Sequence, residues 1–384
     1  MIRSNNVLRH SSALLFCMLV FISITKAQGS KSATAIALDQ QGKYAEAAEI
    51  WRGVTKANPR DAIAFASLGL DLARQEQYPE AVKAYRKALT LSPKLPGLQL
   101  NLGLAEFKQG HFDTAIPPLK AAATEATSPA VSTQAHMLLG MAYYGAARFT
   151  DASKTLKPLA TADPTNIELR KVLAQSCLGA KDYDCALAEF RAILEQNPDS
   201  AAVHVLLGEA YDGMKQTDKA IAEFKAAEQI SPNEPNLHFG LGYLYWKSHA
   251  YDDAKREFEA ELSVSPDDAQ ALAYLGDVEL QRNNTEQAEA LLLKSTQQSD
   301  KVRIAYLDLG SIRMQQKKYD EAIKNLQRAI TIDPSQPDAH YRLGRAYKAV
   351  GKDALAEAEF AKTRELHQKA DDAAAFKLPP PPTK

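Results

Sequence analysis

The sequence is poor in cysteine, in charge of one sign and in long apolar runs, and each shortage excludes a class of protein. Three Cys among 384 residues are too few for a disulfide scaffold or a four-Cys zinc site. Lys and Arg together number 46, and Asp and Glu number 47, so the basic excess of a nucleic-acid-binding protein is missing. The 18 Gly and 19 Pro residues are too few for a low-complexity chain, and the composition predicts a folded protein.

Motifs that carry chemistry are also missing from the sequence. It contains no GxxxxGK[ST] phosphate-binding loop, no HExxH zinc motif and no GxSxG nucleophile motif. The eight His are scattered along the chain, and helical spacing brings no two of them together, so we predict no metal site. Paired acids such as Asp252-Asp253 are expected in turns and first helical turns, where acids interact favourably with the helix dipole. We therefore predict a protein that is not an enzyme and that has no catalytic or cofactor-binding residues.

The segment from Met1 to Ala27 has the order of a secretory signal peptide. Arg3 and Arg9 precede an apolar stretch from Ala13 to Ile24, and Thr25-Lys26-Ala27 follows with small residues at its two ends. An apolar stretch of this length is shorter than the roughly 20 residues that span a bilayer, and no later stretch approaches that length. We predict cleavage after Ala27, which makes 1-27 the signal peptide, and export to a bacterial periplasm or out of the cell. Retention of an uncleaved signal as a membrane anchor is the alternative.

One pattern recurs at a nearly constant interval through the rest of the chain. A Leu followed by Gly is found at Leu68, Leu102, Leu139, Leu207, Leu241, Leu275, Leu309 and Leu343. Ala stands 12 residues after each of these Gly residues, a large apolar residue comes four positions later, and Pro closes most repeats. The repeats begin near positions 28, 62, 96, 133, 167, 201, 235, 269, 303 and 337, so the interval is the same throughout except for a slightly longer one between 96 and 133.

This pattern resembles the tetratricopeptide repeat (TPR) family over residues 28–370, with about ten tandem repeats of which the first is degenerate. The resemblance implies an all-α fold, an α-α superhelical solenoid of tandem 34-residue helix-turn-helix repeats whose first helices line a concave face. The physical pattern agrees, because apolar residues at i, i+3 and i+4 indicate amphipathic helices. One helix pair cannot bury its apolar face alone, so neighbouring pairs must stack. Residues 371–384, which are acidic, then Ala-rich and then Pro-rich, are predicted to form a disordered tail.

The resemblance also implies which residues line the concave groove. In this family, the residues two before, two after and five after the Leu of the Leu-Gly pair share the face that does so. In three repeats these residues are all large and apolar: Leu100, Leu104, Phe107, Met137, Met141, Tyr144, Phe239, Tyr243 and Trp246. Aromatic and Met side chains are typical of protein-binding surfaces, so we predict that they form a partner-binding groove. Packing against the adjacent helix is the alternative for each of them.

Cys177 and Cys185 are the only Cys beyond the predicted signal peptide. They are expected near the end of a first helix and in the first turn of the second helix, nearly symmetric about the turn at Lys181-Asp182. Their side chains are therefore able to meet, and an oxidising compartment would favour a disulfide. Two buried thiols are the alternative.

These observations predict an exported scaffold that binds a partner protein or peptide in the groove of a TPR solenoid. An accessory subunit of a cell-envelope machine for polysaccharide export or surface assembly is the alternative. An enzyme with a site hidden in the groove is disfavoured, because no insertion is long enough to carry one. No nucleic acid and no membrane span of the mature chain are expected, and the oligomeric state is left open.

Overall fold

The computed structural model describes residues 30–126 and 128–375, and the predicted signal peptide lies outside these residues. Throughout the described ranges the chain forms 20 α-helices and no strand. In chain order the helices are α1 Ser30–Gln40, α2 Tyr44–Ala57, α3 Ala62–Arg74, α4 Tyr78–Leu91, α5 Leu98–Lys108, α6 Phe112–Thr124, α7 Pro129–Gly145, α8 Phe149–Ala162, α9 Ile167–Gly179, α10 Tyr183–Gln196, α11 Ala201–Gly213, α12 Thr217–Ile230, α13 Leu237–Lys247, α14 Tyr251–Val264, α15 Ala269–Gln281, α16 Thr285–Gln298, α17 Arg303–Gln315, α18 Tyr319–Ile332, α19 Pro337–Ala349 and α20 Asp353–Ala375.

The chain divides into two compact units between Ile193 and Leu194, within α10, and we call them the N-terminal and C-terminal units. In the C-terminal unit each helix from α11 to α19 packs against the next helix in sequence. The odd-numbered helices α11 to α19 also contact one another in succession. In the N-terminal unit each helix from α1 to α8 likewise packs against the next, and the odd-numbered helices from α3 to α9 contact one another in succession. This is the packing of a solenoid of tandem helix pairs, so the predicted all-α repeat fold is confirmed.

The Leu-Gly pairs mark the points where the two helices of a repeat come closest. A Cβ atom added to Gly103 would lie 2.5 Å from Leu119 Cγ, and one added to Gly242 would lie 2.8 Å from the Phe258 ring. Six other pairs follow this relation: Gly69 with Tyr85, Gly140 with Leu156, Gly208 with Phe224, Gly276 with Leu292, Gly310 with Leu326 and Gly344 with Phe360. The large residue fills the space that a side chain at the Gly position would need, so the sequence pattern records direct helix contact.

The C-terminal helix is longer than the sequence suggests. α20 runs to Ala375, so residues 371–375, which the sequence analysis places in a disordered tail, continue this helix. The physical reason is composition, because Ala has the highest helix propensity and no Gly or Pro interrupts the segment. Residues 376–384 lie outside the described part of the chain, and for them the tail stays a prediction. Among the described helices, none combines the length and the apolar character that crossing a membrane requires.

Candidate functional site

The C-terminal unit contains a cavity of about 970 Å³, and its wall comes mainly from four first helices in succession. These helices are α13, α15, α17 and α19, which belong to consecutive repeats. Side chains that lie far apart in sequence are brought together here, because successive repeats place corresponding positions beside one another.

One side of the cavity is aromatic. Phe239, Tyr243 and Trp246 lie at i, i+4 and i+7 along α13, and this spacing puts them on one face of the helix. The ring of Tyr274 from α15 packs edge-on against all three, with centroid distances of 5.8 Å to Phe239, 5.5 Å to Tyr243 and 5.0 Å to Trp246. All four side chains are half-buried, so they fix one another in place and still present apolar surface to the cavity.

Two buried carboxylates lie next to this aromatic wall. Asp277 Oδ2 accepts a hydrogen bond of 2.5 Å from Trp246 Nε1. Asp308 Oδ1 accepts one of 3.3 Å from Arg342 Nη1, whereas Asp308 Oδ2 has no hydrogen-bond partner among the described residues. Burial raises the pKa of Asp308 well above its usual range, and the nearby Asp277 carboxylate raises it further. The acids therefore offer both a hydrogen-bond acceptor and a carboxyl group that favours its protonated form.

Basic side chains complete the lining. Arg303 pairs with Asp338, and Arg342 Nη1 also donates to Ser311 Oγ at 2.5 Å. Lys301 is exposed just before the start of α17. An apolar wall beside polar groups of both signs resembles binding pockets in general, where the apolar part supplies affinity and a few polar groups set orientation.

The structure separates the nine predicted groove residues into two groups. Phe239, Tyr243 and Trp246 line the cavity. The other six lie in the N-terminal unit and form no part of it: Leu100, Leu104, Phe107, Met137, Met141 and Tyr144. Four of these six are buried, at 7% for Leu100 and Leu104, 8% for Phe107 and 9% for Met141, which leaves little surface for a partner. A partner-binding role for the six stays a prediction.

Three residues of the cavity were not predicted from the sequence, although they share one position in the repeat. Tyr274, Asp308 and Arg342 each stand immediately before the Leu of a Leu-Gly pair, in three successive repeats, and all three line the cavity. Asp277 was missed for another reason. It stands two residues after Leu275, on the predicted face, but it is not apolar. A comparison of both positions across the last three repeats would have found all four residues.

The two Cys residues lie in the N-terminal unit. Cys177 is near the end of α9, Cys185 is in the first turn of α10, and their sulfur atoms are joined in a disulfide with the Cα atoms 5.8 Å apart. Cys177 is fully buried. The two Cys are therefore placed as a disulfide requires. Formation of the bond in the exported protein stays a prediction.

Comparisons with known proteins agree on the repeat. Models described as tetratricopeptide repeat match residues 32–96 and 239–301 and residues 106–176 and 178–241, and a model described as TPR repeat matches residues 310–351. No curated protein matches the sequence.

Among solved structures, a tetratricopeptide repeat protein from Parabacteroides merdae is 17% identical, with 65% of this chain and 97% of that chain covered and a TM-score of 0.54. Yeast Tom70 is 14% identical, with 90% and 94% covered and a TM-score of 0.43. YrrB, described as a TPR protein with an unusual peptide-binding site, is 20% identical, with 49% and 98% covered and a TM-score of 0.37. The first of these similarities shows a shared fold.

Proposed function

Because the chain belongs to the tetratricopeptide repeat family, we propose that it is a non-enzymatic interaction scaffold that binds a partner protein or peptide in the cavity of its C-terminal unit. The observation that carries the proposal is the half-buried aromatic wall formed by Phe239, Tyr243, Trp246 and Tyr274. Aromatic residues in such surroundings dominate the energetics of protein interfaces. Their mutual ring contacts keep them ordered, so binding immobilises little that was free before.

The polar residues of the cavity support a peptide as the occupant. A peptide presents apolar side chains together with backbone donors and acceptors, and the cavity offers the aromatic wall, the free Oδ2 atom of Asp308 and the exposed Lys301. A buried polar atom without a partner costs stability, and a backbone carbonyl of a bound chain would accept a hydrogen bond from the protonated Asp308 carboxyl group.

Export is part of the proposal. The order of charged, apolar and small residues in the segment up to Ala27 supports a cleaved signal peptide. The constant spacing of the sequence pattern, together with the twenty described helices, supports ten repeats behind that signal. The site of action would then be the periplasm or the cell exterior.

Trp246→Ala tests the binding site. Loss of an aromatic anchor at an interface often costs about 2 kcal/mol, which is roughly a 30-fold loss of affinity. We expect the purified, tagged full chain with this change to capture its partners from extracts of the producing cells correspondingly less. The helical circular dichroism should change little. The melting temperature should fall less than after a core truncation, because the side chain is half-buried, although Asp277 loses the indole N–H as a donor. The measurement is quantitative mass spectrometry of captured proteins beside a thermal melt.

Trp51, the other Trp of the chain, provides the matched control. It is 2% exposed and lies in the core of the N-terminal unit, where truncation to Ala costs about 3–5 kcal/mol of stability. Trp51→Ala should therefore lower the melting temperature and leave capture by the folded protein intact. If Trp246→Ala gives this same result, Trp246 is structural and the proposed site is wrong.

A further inference from the structure

A His–Glu pair recurs at one position of the repeat in the C-terminal unit. His204, His238 and His340 each lie at the start of a first helix, and each contacts a Glu 19 residues later on the second helix. The distances from His Nδ1 to Glu Oε2 are 2.7 Å for Glu223, 2.9 Å for Glu257 and 2.6 Å for Glu359. In the first and third pairs a structural role is enough to account for the His and the Glu, because their contact joins the two helices of one repeat.

The middle pair has a third member. Glu228 on α12, in the preceding repeat, brings a carboxylate oxygen to within 4.8 Å of the ligand atoms of His238 and Glu257. Three other repeats carry an aliphatic residue at the position of Glu228. They are the repeat before it, the repeat after it and the ninth repeat, with Leu194, Leu262 and Ile330. Leu262 and Ile330 pack against buried core clusters. A carboxylate therefore stands where helix packing in these repeats uses an aliphatic side chain.

Only one of the two carboxylates in this trio has a basic partner. Glu257 Oε2 contacts His238, and Glu257 Oε1 accepts hydrogen bonds from Arg256 at 3.1 and 3.2 Å. Glu228, by contrast, has no hydrogen-bond or ion-pair partner among the described residues. Glu257 and His238 are largely buried, with side-chain exposures of 8% and 13%, and Glu228 is half-buried, so a cation bound between the two carboxylates would offset their mutual repulsion.

We propose that Glu228, His238 and Glu257 form a binding site for a divalent transition-metal cation, with Zn²⁺ as the probe. Imidazole and carboxylate are ligands that Zn²⁺ takes at about 2.0–2.2 Å, and three protein ligands with a water complete a tetrahedral shell. Tetrahedral ligands at that distance are about 3.3 Å apart. Metal binding would therefore require the ligand atoms, which lie within 4.8 Å of one another, to move closer together, and the long, half-buried Glu228 side chain is the one with the most freedom to rotate.

The site joins two repeats. Glu228 belongs to α12, whereas His238 and Glu257 belong to the two helices of the next repeat. His238 also directly precedes Phe239, the first residue of the aromatic wall. A bound cation would therefore tie the start of α13, and with it the cavity wall, to the repeat before it. This inference does not depend on the proposed partner binding.

The test uses the untagged full mature chain, stripped with a chelator and titrated with ZnCl₂ by calorimetry in buffer without reductant. We expect one equivalent of Zn²⁺ to bind and to raise the melting temperature. Glu228→Leu reproduces the aliphatic residue of the adjacent repeats, so it should fold normally and weaken Zn²⁺ binding at least tenfold. Its melting temperature should no longer respond to Zn²⁺.

His204→Gln is the matched control, because it removes an equivalent His–Glu pair for which the preceding repeat carries Leu194 at the position of Glu228. This variant should bind Zn²⁺ like the unaltered chain. The proposal is overturned if the unaltered chain binds no Zn²⁺, or if Glu228→Leu binds it equally well, which would mean adventitious binding to other side chains. Equal loss in His204→Gln would also overturn it.

Discussion

The Trp246 side chain contacts both the aromatic wall and a buried carboxylate. Its ring forms part of the aromatic wall, and its indole N–H donates to the buried Asp277. The N–H of a Trp that is not fully exposed usually finds a hydrogen-bond partner, and the buried Asp277 needs a donor in turn. Trp246→Phe would keep the apolar surface and leave the carboxylate without this donor, so comparison with Trp246→Ala separates the two contributions.

Two buried acids make the stability of the fold depend on pH. Burial raises the pKa of Asp71 to about 7 and that of Glu209 to about 7. In the unfolded chain both ionise near pH 4. Between these values the folded state keeps a proton that the unfolded state releases, so the free energy of unfolding falls as the pH rises from about 4 to about 7.

Glu209→Gln should weaken this dependence. The replacement cannot ionise, so its contribution to the loss of stability, roughly 1–3 kcal/mol, disappears. We expect the melting temperature of the variant to fall less between pH 5 and pH 8 than that of the unaltered chain. Asp71 and Asp308 remain, so some decline persists. Glu195→Gln, at an exposed position of α10, controls for the loss of one negative charge, and parallel pH curves for Glu209→Gln and the unaltered chain would contradict the prediction.

At the scale of the helix pair, the close approach at the Gly positions is open to a direct test. Gly310→Ala would place a Cβ 2.7 Å from Leu326 Cγ, and Leu326 is fully buried. Overpacking of this kind costs about 1–3 kcal/mol, which exceeds the gain of about 1 kcal/mol in helix propensity over most of that range. We expect a lower melting temperature.

Gly53→Ala is the control within the same fold. Gly53 lies inside α2, and an added Cβ would meet nothing within 4 Å, so only the gain in propensity remains. This variant should melt at the same or a higher temperature. If both variants shift the melting temperature in the same direction, close approach does not explain the glycine of the repeat.

The disulfide between α9 and α10 gives a second prediction at the scale of the helix pair. Cys177 and Cys185 should resist alkylation in the exported protein even after unfolding in guanidinium, and should react once reductant is added. Unfolding is required because Cys177 is fully buried, and a buried thiol would resist labelling without any bond. Mass spectrometry measures the label, and labelling of the unfolded protein without reductant would show two free thiols. Loss of the bond should cost about 2–3 kcal/mol by loop closure.

At the scale of the whole molecule, the prediction concerns export. The mature protein should begin at Gln28, because cleavage after Ala27 requires a small residue there. N-terminal sequencing of the protein from the periplasm or medium measures this. Ala27→Ser should be processed normally, whereas Ala27→Phe should accumulate uncleaved. An unprocessed chain confined to the cytoplasm would contradict the export proposal.

The sequence by itself was enough for the all-α repeat fold. The reason is that a solenoid depends on contacts within a repeat and with its neighbours, and the Gly and large residues that make those contacts recur at a constant spacing. Helical periodicity places Phe239, Tyr243 and Trp246 on one face, whereas the expectation that this face lines a groove came from the resemblance to the family. The exact end of α20 could not be predicted from the sequence, because helix propensity in the Ala-rich segment continues past the expected boundary.

Only the tertiary structure decided which side chains meet between repeats and which remain exposed. Tyr274, Asp308 and Arg342 converge on one cavity, and Glu228 approaches His238, because stacking sets distances between repeats that a repeat pattern does not contain. The sequence predicts no metal site because its His residues show no close spacing, and a cation at Glu228, His238 and Glu257 stays a proposal. Leu100 and Phe107 have the same apolar character as the cavity residues but are buried, because exposure depends on how closely the surrounding helices pack.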